Sequence, residues 1–191
     1  MIVKIDTSIK IEISDGVYNP AEDSYFLIKA IEVNGREKAL DMGCGCGIIA
    51  LHFAKNGCSV TACDINEKAV KNSMMNAEKN GLKVKCIRSN LFEKIDDKFD
   101  LIVFNPPYLP TENEDISWDG GKEGIEIIEN FLKDAKNYLN EKGRIYLLTS
   151  TLGNFKKIME NFGHMYKFEK MAEESYFFEK LLVYKITKSD L

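Results

Sequence analysis

The chain has 191 residues, 45% of them hydrophobic, enough for one core that stands without disulfide or metal staples and too few for a second large domain. Its formal net charge of −4 and pI of about 5.4 give a field that repels phosphate backbones, so a dedicated nucleic-acid binder is disfavoured. No run approaches the roughly 18 apolar residues of a membrane span, and the first residues lack the apolar segment of a signal peptide, so the reading is a soluble, cytoplasmic protein.

In chain order, residues 2–13 alternate in polarity and suggest a hairpin. Asn19-Pro20-Ala21-Glu22-Asp23 then has the form of a helix start, with Asn19 as cap, Pro20 at the first position and two acids complementing the helix dipole. From residue 38 short β-like runs alternate with helical ones, the pattern of a parallel sheet covered on both faces. Strands are expected at 38–42, 59–64, 84–88, 99–105 and 144–149, and helices at 47–56, 66–80, about 123–140 and 152–161. Asn66 can cap the helix at 66–80, and Gly81 can stop it. Two last runs, 166–171 and 176–186, are separated only by a polar turn. A parallel return needs about a dozen residues, so these two must form an antiparallel hairpin. The expected architecture is α/β: a mostly parallel seven-stranded sheet in the order 3-2-1-4-5 with the hairpin beyond, helices on both faces. Residues 1–191 would form a single domain, with 1–35 as its N-terminal extension.

Between the first strand and its helix stands Asp41-Met42-Gly43-Cys44-Gly45-Cys46-Gly47. Alternate glycines let the backbone turn sharply and pass close to a ligand. The third glycine comes one residue too early for a dinucleotide fingerprint, and Asp41 would repel a pyrophosphate. The same carboxylate would attract the ammonium and sulfonium of S-adenosyl-L-methionine. Asp64 ends the second strand, where an acid can accept from both ribose hydroxyls, although it could instead cap the next helix. Ile65 follows it in the same cofactor-facing position. Asn90 and Leu91, after the third strand, fall where an adenine contact is expected, and an ordinary polar turn is the plainer alternative.

The fourth strand runs into Asn105-Pro106-Pro107-Tyr108. Two prolines cannot continue a sheet, so the chain leaves the strand in a stiff extended turn at the end of the sheet where open α/β folds bind ligands. An NH2 on a planar carbon is a poor nucleophile, and its attack on a sulfonium methyl requires an in-line nitrogen whose lone pair is freed from the plane. The Asn105 side-chain carbonyl and the Pro106 backbone carbonyl can accept both N–H bonds of such a group, while Tyr108 offers a stacking face. Pro107 completes the substrate-binding turn, and Asn105 also borders the cofactor. Positioning alone can supply roughly 7–11 kcal/mol of a barrier, so no general base is required.

These residues resemble the class I, Rossmann-like methyltransferases, and within them the HemK family of protein glutamine methyltransferases. The marks are Tyr18-Asn19-Pro20-Ala21-Glu22-Asp23-Ser24, the glycine loop after Asp41, Asp64, Asn105-Pro106-Pro107-Tyr108, and Asp119-Gly120-Gly121-Lys122-Glu123-Gly124. The Glu22-Asp23-Ser24 form is similar to the short archaeal and eukaryotic branch, and only about 40 residues precede the glycine loop, too few for the helical substrate domain of the bacterial branch. The resemblance implies S-adenosyl-L-methionine as cofactor, the N5 amide of a Gly-Gly-Gln glutamine in a class 1 translation release factor as target, and a small zinc-binding activator subunit paired along a sheet edge. Lysine methylation occurs in some relatives. Many relatives carry Asp where this chain has Asn90. The edge strand at residues 83–87 could seat the activator, although its lysines are more simply read as protection against stray pairing.

Remaining features have plainer readings. Cys44, Cys46, Cys58, Cys63 and Cys86 are an odd set without C-x-x-C spacing, as in a reduced protein with neither disulfides nor zinc, and no metal site is expected. His52 and His164 read as packing or surface residues, Met74 and Met75 as core filling. Trp118 shields the substrate or simply packs a loop. Glu112, Glu114, Asp115 and Asp119 argue for a protein substrate over a phosphate-bearing one. Methylation of an exocyclic base amine in RNA or DNA, or a noncatalytic cofactor-binding scaffold, are the alternatives.

Overall fold

The computed structural model describes residues 1–107 and 125–189. Its sheet contains β1 (Lys38–Met42), β2 (Ser59–Asp64), β3 (Val84–Arg88), β4 (Phe99–Phe104), β5 (Leu139–Ser150), β6 (Tyr166–Ser175) and β7 (Lys180–Lys188). The order is β3-β2-β1-β4-β5-β7-β6, parallel through β5 and antiparallel in the final hairpin, which is the expected topology. The helices are α1 (Glu22–Ala30), α2 (Ile48–Lys55), α3 (Glu67–Lys79), α4 (Glu126–Tyr138) and α5 (Phe155–Phe162).

Strand side chains alternate between two cores. Ala39, Leu101, Val103, Tyr146 and Leu148 face α1 and α2, while Leu40, Met42, Ile102, Phe104, Ile145 and Leu147 face α4 and α5. Burial on both faces explains why these strands read as continuous apolar runs. At the amino end of the sheet, Arg144 grips buried Glu37 with both terminal nitrogens, at 2.6 and 3.2 Å, and so ties β5 to the entry of β1.

Four expectations need correction. Residues 2–13 form no hairpin: Ile2 makes one isolated bridge to Glu32, and residues 10–14 instead lie along α3. There Asn72, Asn76 and Asn80 accept from the backbone N–H groups of Ser14, Glu12 and Lys10 at 2.8–2.9 Å, and their amide nitrogens donate back to the carbonyls of Glu12 and Lys10. Four helical residues rise about 6 Å and two extended residues about 6.6 Å, so an asparagine every fourth position matches an extended chain and stands in for a partner strand. Second, α1 starts at Glu22 with Ala21 as a cap lacking any side-chain bond, because Pro20 stays outside the helix and lines the cavity described below. Third, the hairpin turn falls at residues 176–179, after residues 172–175, which remain paired in β6. Fourth, Met74 and Met75 are exposed on α3 rather than buried. Asn66 does cap α3, accepting from Lys68 N at 2.9 Å, and Gly81 ends it with φ +64°.

Candidate active site

A cavity of about 320 Å³ opens at the carboxyl ends of β1, β2 and β4, within the size range of small-ligand sites. One wall is the glycine loop, where Gly43, Gly45 and Gly47 all have φ between +52° and +86°, conformations open to glycine at little cost. A Cβ on Gly43 would come within 3.3 Å of the Phe104 ring, so that glycine lets the loop close on β4. A Cβ on Gly45 would meet nothing within 4 Å, which leaves the backbone there open to a ligand. A Cβ on Gly47 would strike Ser73 Oγ at 2.5 Å, so that glycine serves the packing of α2 on α3.

The second wall carries Asp64 and Ile65. Asp64 accepts from Gly45 N at 3.0 Å and Asn66 N at 2.8 Å, which fixes the carboxylate between the glycine loop and the cap of α3. Burial nevertheless pushes its carboxyl above the usual range. Asn90 and Leu91 complete that side. The Asn90 amide nitrogen donates to Glu93 at 2.8 Å, which leaves its oxygen as the end not engaged there. Leu91 is the one non-glycine with positive φ among the described residues, at +46°, a strain of about 1 kcal/mol of the kind concentrated at ligand sites.

Asp41 is expected to face the cofactor, but it does not line the cavity. It lies beneath the glycine loop, 1% exposed, with Oδ2 accepting from Ala50 N at 3.0 Å and Oδ1 without a partner among the described residues. Burial first and the neighbouring Asp64 charge next push its carboxyl up to about 7. Cys46, in the same loop, is pushed by burial to about 11 and Cys44 well above its ordinary range, so neither thiol is a nucleophile near neutral pH.

Asn105, Pro106 and Pro107 line the third wall; Tyr108, the loop acids, Trp118 and the motif at 119–124 lie outside the described residues. The Asn105 amide nitrogen donates to Asp23 Oδ2 at 3.0 Å, and its Oδ1 is buried without a partner among the described residues. Asp23 is itself held by the Tyr18 hydroxyl at 2.7 Å and by Ser24 N at 2.6 Å, both on its other oxygen. Tyr18, Asp23 and Ser24 therefore join the site. In the sequence Asp23 reads as a dipole-complementing acid, and only the motif resemblance marks the segment. No lysine or arginine occurs among the described residues lining the cavity, whereas Asp23 and Asp64 do. Such a lining suits a ligand carrying positive charge and disfavours phosphates. His52 packs in the core, its Nε2 accepting from Asp6 N at 3.1 Å, and His164 is exposed.

Comparison with known proteins gives consistent matches. The family described as methyltransferase small domain matches residues 11–178. A Methanocaldococcus jannaschii protein provisionally named a protein N5-glutamine methyltransferase is 36% identical over 96% of this chain and 97% of its own. The release factor glutamine methyltransferase of Streptococcus pneumoniae is 32% identical over 72% of this chain, which spans only 55% of that longer protein. Among solved structures, the E. cuniculi Mtq2-Trm112 complex, responsible for methylation of the eRF1 translation termination factor, superposes with a TM-score of 0.74 at 27% identity, covering 91% of this chain and 99% of that one.

Proposed function

Because the chain belongs to the methyltransferase small domain family, whose enzymes draw on S-adenosyl-L-methionine, we propose that it methylates the side-chain amide nitrogen of glutamine in a class 1 release factor. The observation that carries this reading is the buried, unpartnered Oδ1 of Asn105, beside a cavity walled by carboxylates.

The cavity fits the cofactor. Gly45 leaves backbone open to a close ligand, Asp64 presents a fixed carboxylate for ribose hydroxyls, Asn90 and Leu91 border the adenine end, and Asp41 adds a negative charge from below. Bound S-adenosyl-L-methionine supplies an electrophilic methyl group. Asn105 is the residue that selects and orients the nitrogen. An Asp carboxylate is an acceptor, so its bond to the Asn105 amide nitrogen fixes which end of the amide is left for substrate. Asn105 Oδ1 accepts one N–H of the target amide and the Pro106 carbonyl the other, turning the nitrogen lone pair toward the methyl group. A buried acceptor left unpaired costs about 1–3 kcal/mol, and a substrate that brings two N–H donors removes that cost. Tyr108 would stack on the planar amide.

Two further readings accompany this one. The activator subunit would pair with the edge strand β3, beside which exposed Met74 and Met75 add apolar surface on α3. The enzyme would act in the cytoplasm, where termination factors work. Among the described residues no helix is long and apolar enough to cross a membrane.

The test is transfer of radiolabelled methyl to a release factor, to its Gln→Ala variant and to total RNA. Label on the factor that disappears with its glutamine is expected; label on RNA, or undiminished label on the Gln→Ala factor, refutes the reading. Asn105→Ala should abolish turnover and leave cofactor affinity within about threefold, since its lost contacts are to substrate.

A further inference from the structure

The tip of the β6–β7 hairpin carries Phe177 and Phe178, 92% and 83% exposed, with their rings edge to face at 4.6 Å. Aromatic residues at a turn bury nothing of their own fold, and adjacent exposed rings mark a contact surface.

The sheet register fixes where that tip lies. Phe104, the last residue before Asn105, is level with Leu147, whereas Leu181 at the base of the tip is level with Ser150. The base of the tip therefore lies about 10 Å past the carboxyl end of β4, two strand spacings or about 10 Å to its side, and the tip extends beyond it. It is held there: Ser150 Oγ bonds Glu179, and Thr151 exchanges hydrogen bonds with the backbone of Lys180 at 2.9 and 3.0 Å. Leu152, 48% exposed, follows on the same turn and extends the apolar surface. Tyr176 roots the tip, packed against the core cluster that contains Phe26 and Leu27 of α1, the helix that also carries Asp23.

The charge around the pair decides what it receives. Lys170 and Lys180 share the single carboxylate of Glu173, at 2.8 and 2.7 Å, so one positive charge is left over, and Glu174 and Glu179 on the same hairpin outweigh it and leave the tip net negative. A phosphodiester strand is repelled there, although its bases could stack on the rings.

We infer that Phe177 and Phe178 are a docking surface for the protein substrate, receiving an apolar segment with basic neighbours that lies beyond the target glutamine. This rests on the glutamine reading above. It makes the hairpin tip a determinant of which protein is accepted, separate from the machinery that orients the amide.

The experiment compares the wild type with the double variant Phe177→Ser, Phe178→Ser on the intact release factor and on a short Gly-Gly-Gln peptide. Both rings are exposed, so the fold and cofactor affinity should be unchanged. The expected result is a KM for the intact factor raised tenfold or more, kcat within twofold, and peptide methylation unaltered. If the wild type labels the glutamine and the variant keeps its KM for the factor, the docking surface is refuted while the glutamine reading stands. Label on RNA in place of protein refutes both. An unchanged KM with lost copurification of the activator also refutes the inference, assigning the rings to that subunit.

Discussion

Asp23 and Asn105 lie 82 residues apart in sequence and 3.0 Å apart in space, and the hydrogen bond between them sets the direction of the Asn105 amide. Without the carboxylate only a long bond to Ser24 Oγ, at 3.5 Å, keeps the amide from turning its NH2 toward the substrate, where two donors would oppose two donors. Asp23→Ala should lower kcat by about 100-fold, the order lost when a preorganised polar contact is removed, with cofactor affinity changed by less than threefold. Asp23→Asn keeps an acceptor oxygen and should recover much of the rate. Loss of cofactor binding in parallel with rate, or no difference between the two variants, would assign Asp23 a different role.

Asp41 makes the empty protein sensitive to pH. Its carboxyl titrates near 7 in the fold, owing first to burial and then to Asp64, against about 3.9 in an unfolded chain. A carboxyl raised on folding contributes stability that is fully present below about pH 4 and is lost as pH rises through about 7. Asp41→Asn retains an acceptor for Ala50 N–H and has no charge to bury. Ligand-free thermal melts should find this variant more stable than wild type at about pH 8, by on the order of a few kcal/mol, with the advantage gone near pH 4. Positive charge on the ligand reverses the preference, so calorimetry should show wild-type cofactor affinity tightening from about pH 6 to pH 8, with a flatter profile in Asp41→Asn. A gain in stability that persists at pH 4 would contradict this account.

The central strands were legible because residues buried on both faces leave continuous apolar runs, and β1 and β2 have the bounds read from the sequence, as does the half-exposed edge strand β3. Their crossover connections followed from the helical segments between them. The strap at residues 10–14 was not legible, since a helix face of asparagines acting as a strand edge has no hydrophobic period. The turn at 176–179 was missed for the opposite reason: Tyr176, Phe177 and Phe178 have the composition of a strand, yet only Tyr176 packs on the core while the two phenylalanines serve outside it. Within the site, Asp64 and Asn105 were recognisable from their places at strand ends. Asp23 was not, because its partner lies 82 residues away and no local pattern encodes that pairing.

Two glycines of one loop should fail differently. At Gly45 an alanine has open space but φ +52°, so the expected cost is about 1–2 kcal/mol of stability, with the methyl group projecting into the ligand's path. At Gly47 an alanine meets φ +86° and also Ser73 Oγ at 2.5 Å and Cβ at 3.1 Å. Gly47→Ala should therefore destabilise more than Gly45→Ala in urea melts, while Gly45→Ala should weaken cofactor binding by tenfold or more. Adding Ser73→Ala should relieve part of the Gly47→Ala loss and none of the Gly45→Ala loss, a coupling that a double-mutant cycle reads directly. Equal coupling at both positions would mean that the contact with Ser73 is not what Gly47 provides.

Asn76 is 0% exposed and holds three separate segments. It accepts from Glu12 N at 2.9 Å, and its amide nitrogen donates to the Glu12 carbonyl at 2.9 Å and the Cys46 carbonyl at 3.0 Å. The strap, α3 and the glycine loop thus meet at one side chain, and the strap continues into Gly16, Tyr18 and Pro20 at the cavity wall. Replacing Asn76 by alanine removes three bonds, each worth about 1 kcal/mol, and leaves buried backbone groups unpaired, so a loss of about 2–4 kcal/mol is expected. Asn80 engages the strap nearer its outer end, with bonds to Lys10 that are solvent exposed, and Asn80→Ala should cost less. Amide exchange separates a local loosening from general weakening. In Asn76→Ala the Glu12 amide should exchange faster than those of β1 by more than the global loss accounts for, and cofactor affinity should fall through the freed Cys46 carbonyl. Uniform acceleration across β1 and the strap would show instead that the asparagine ladder is an inseparable part of the core, with no special hold on the cavity wall.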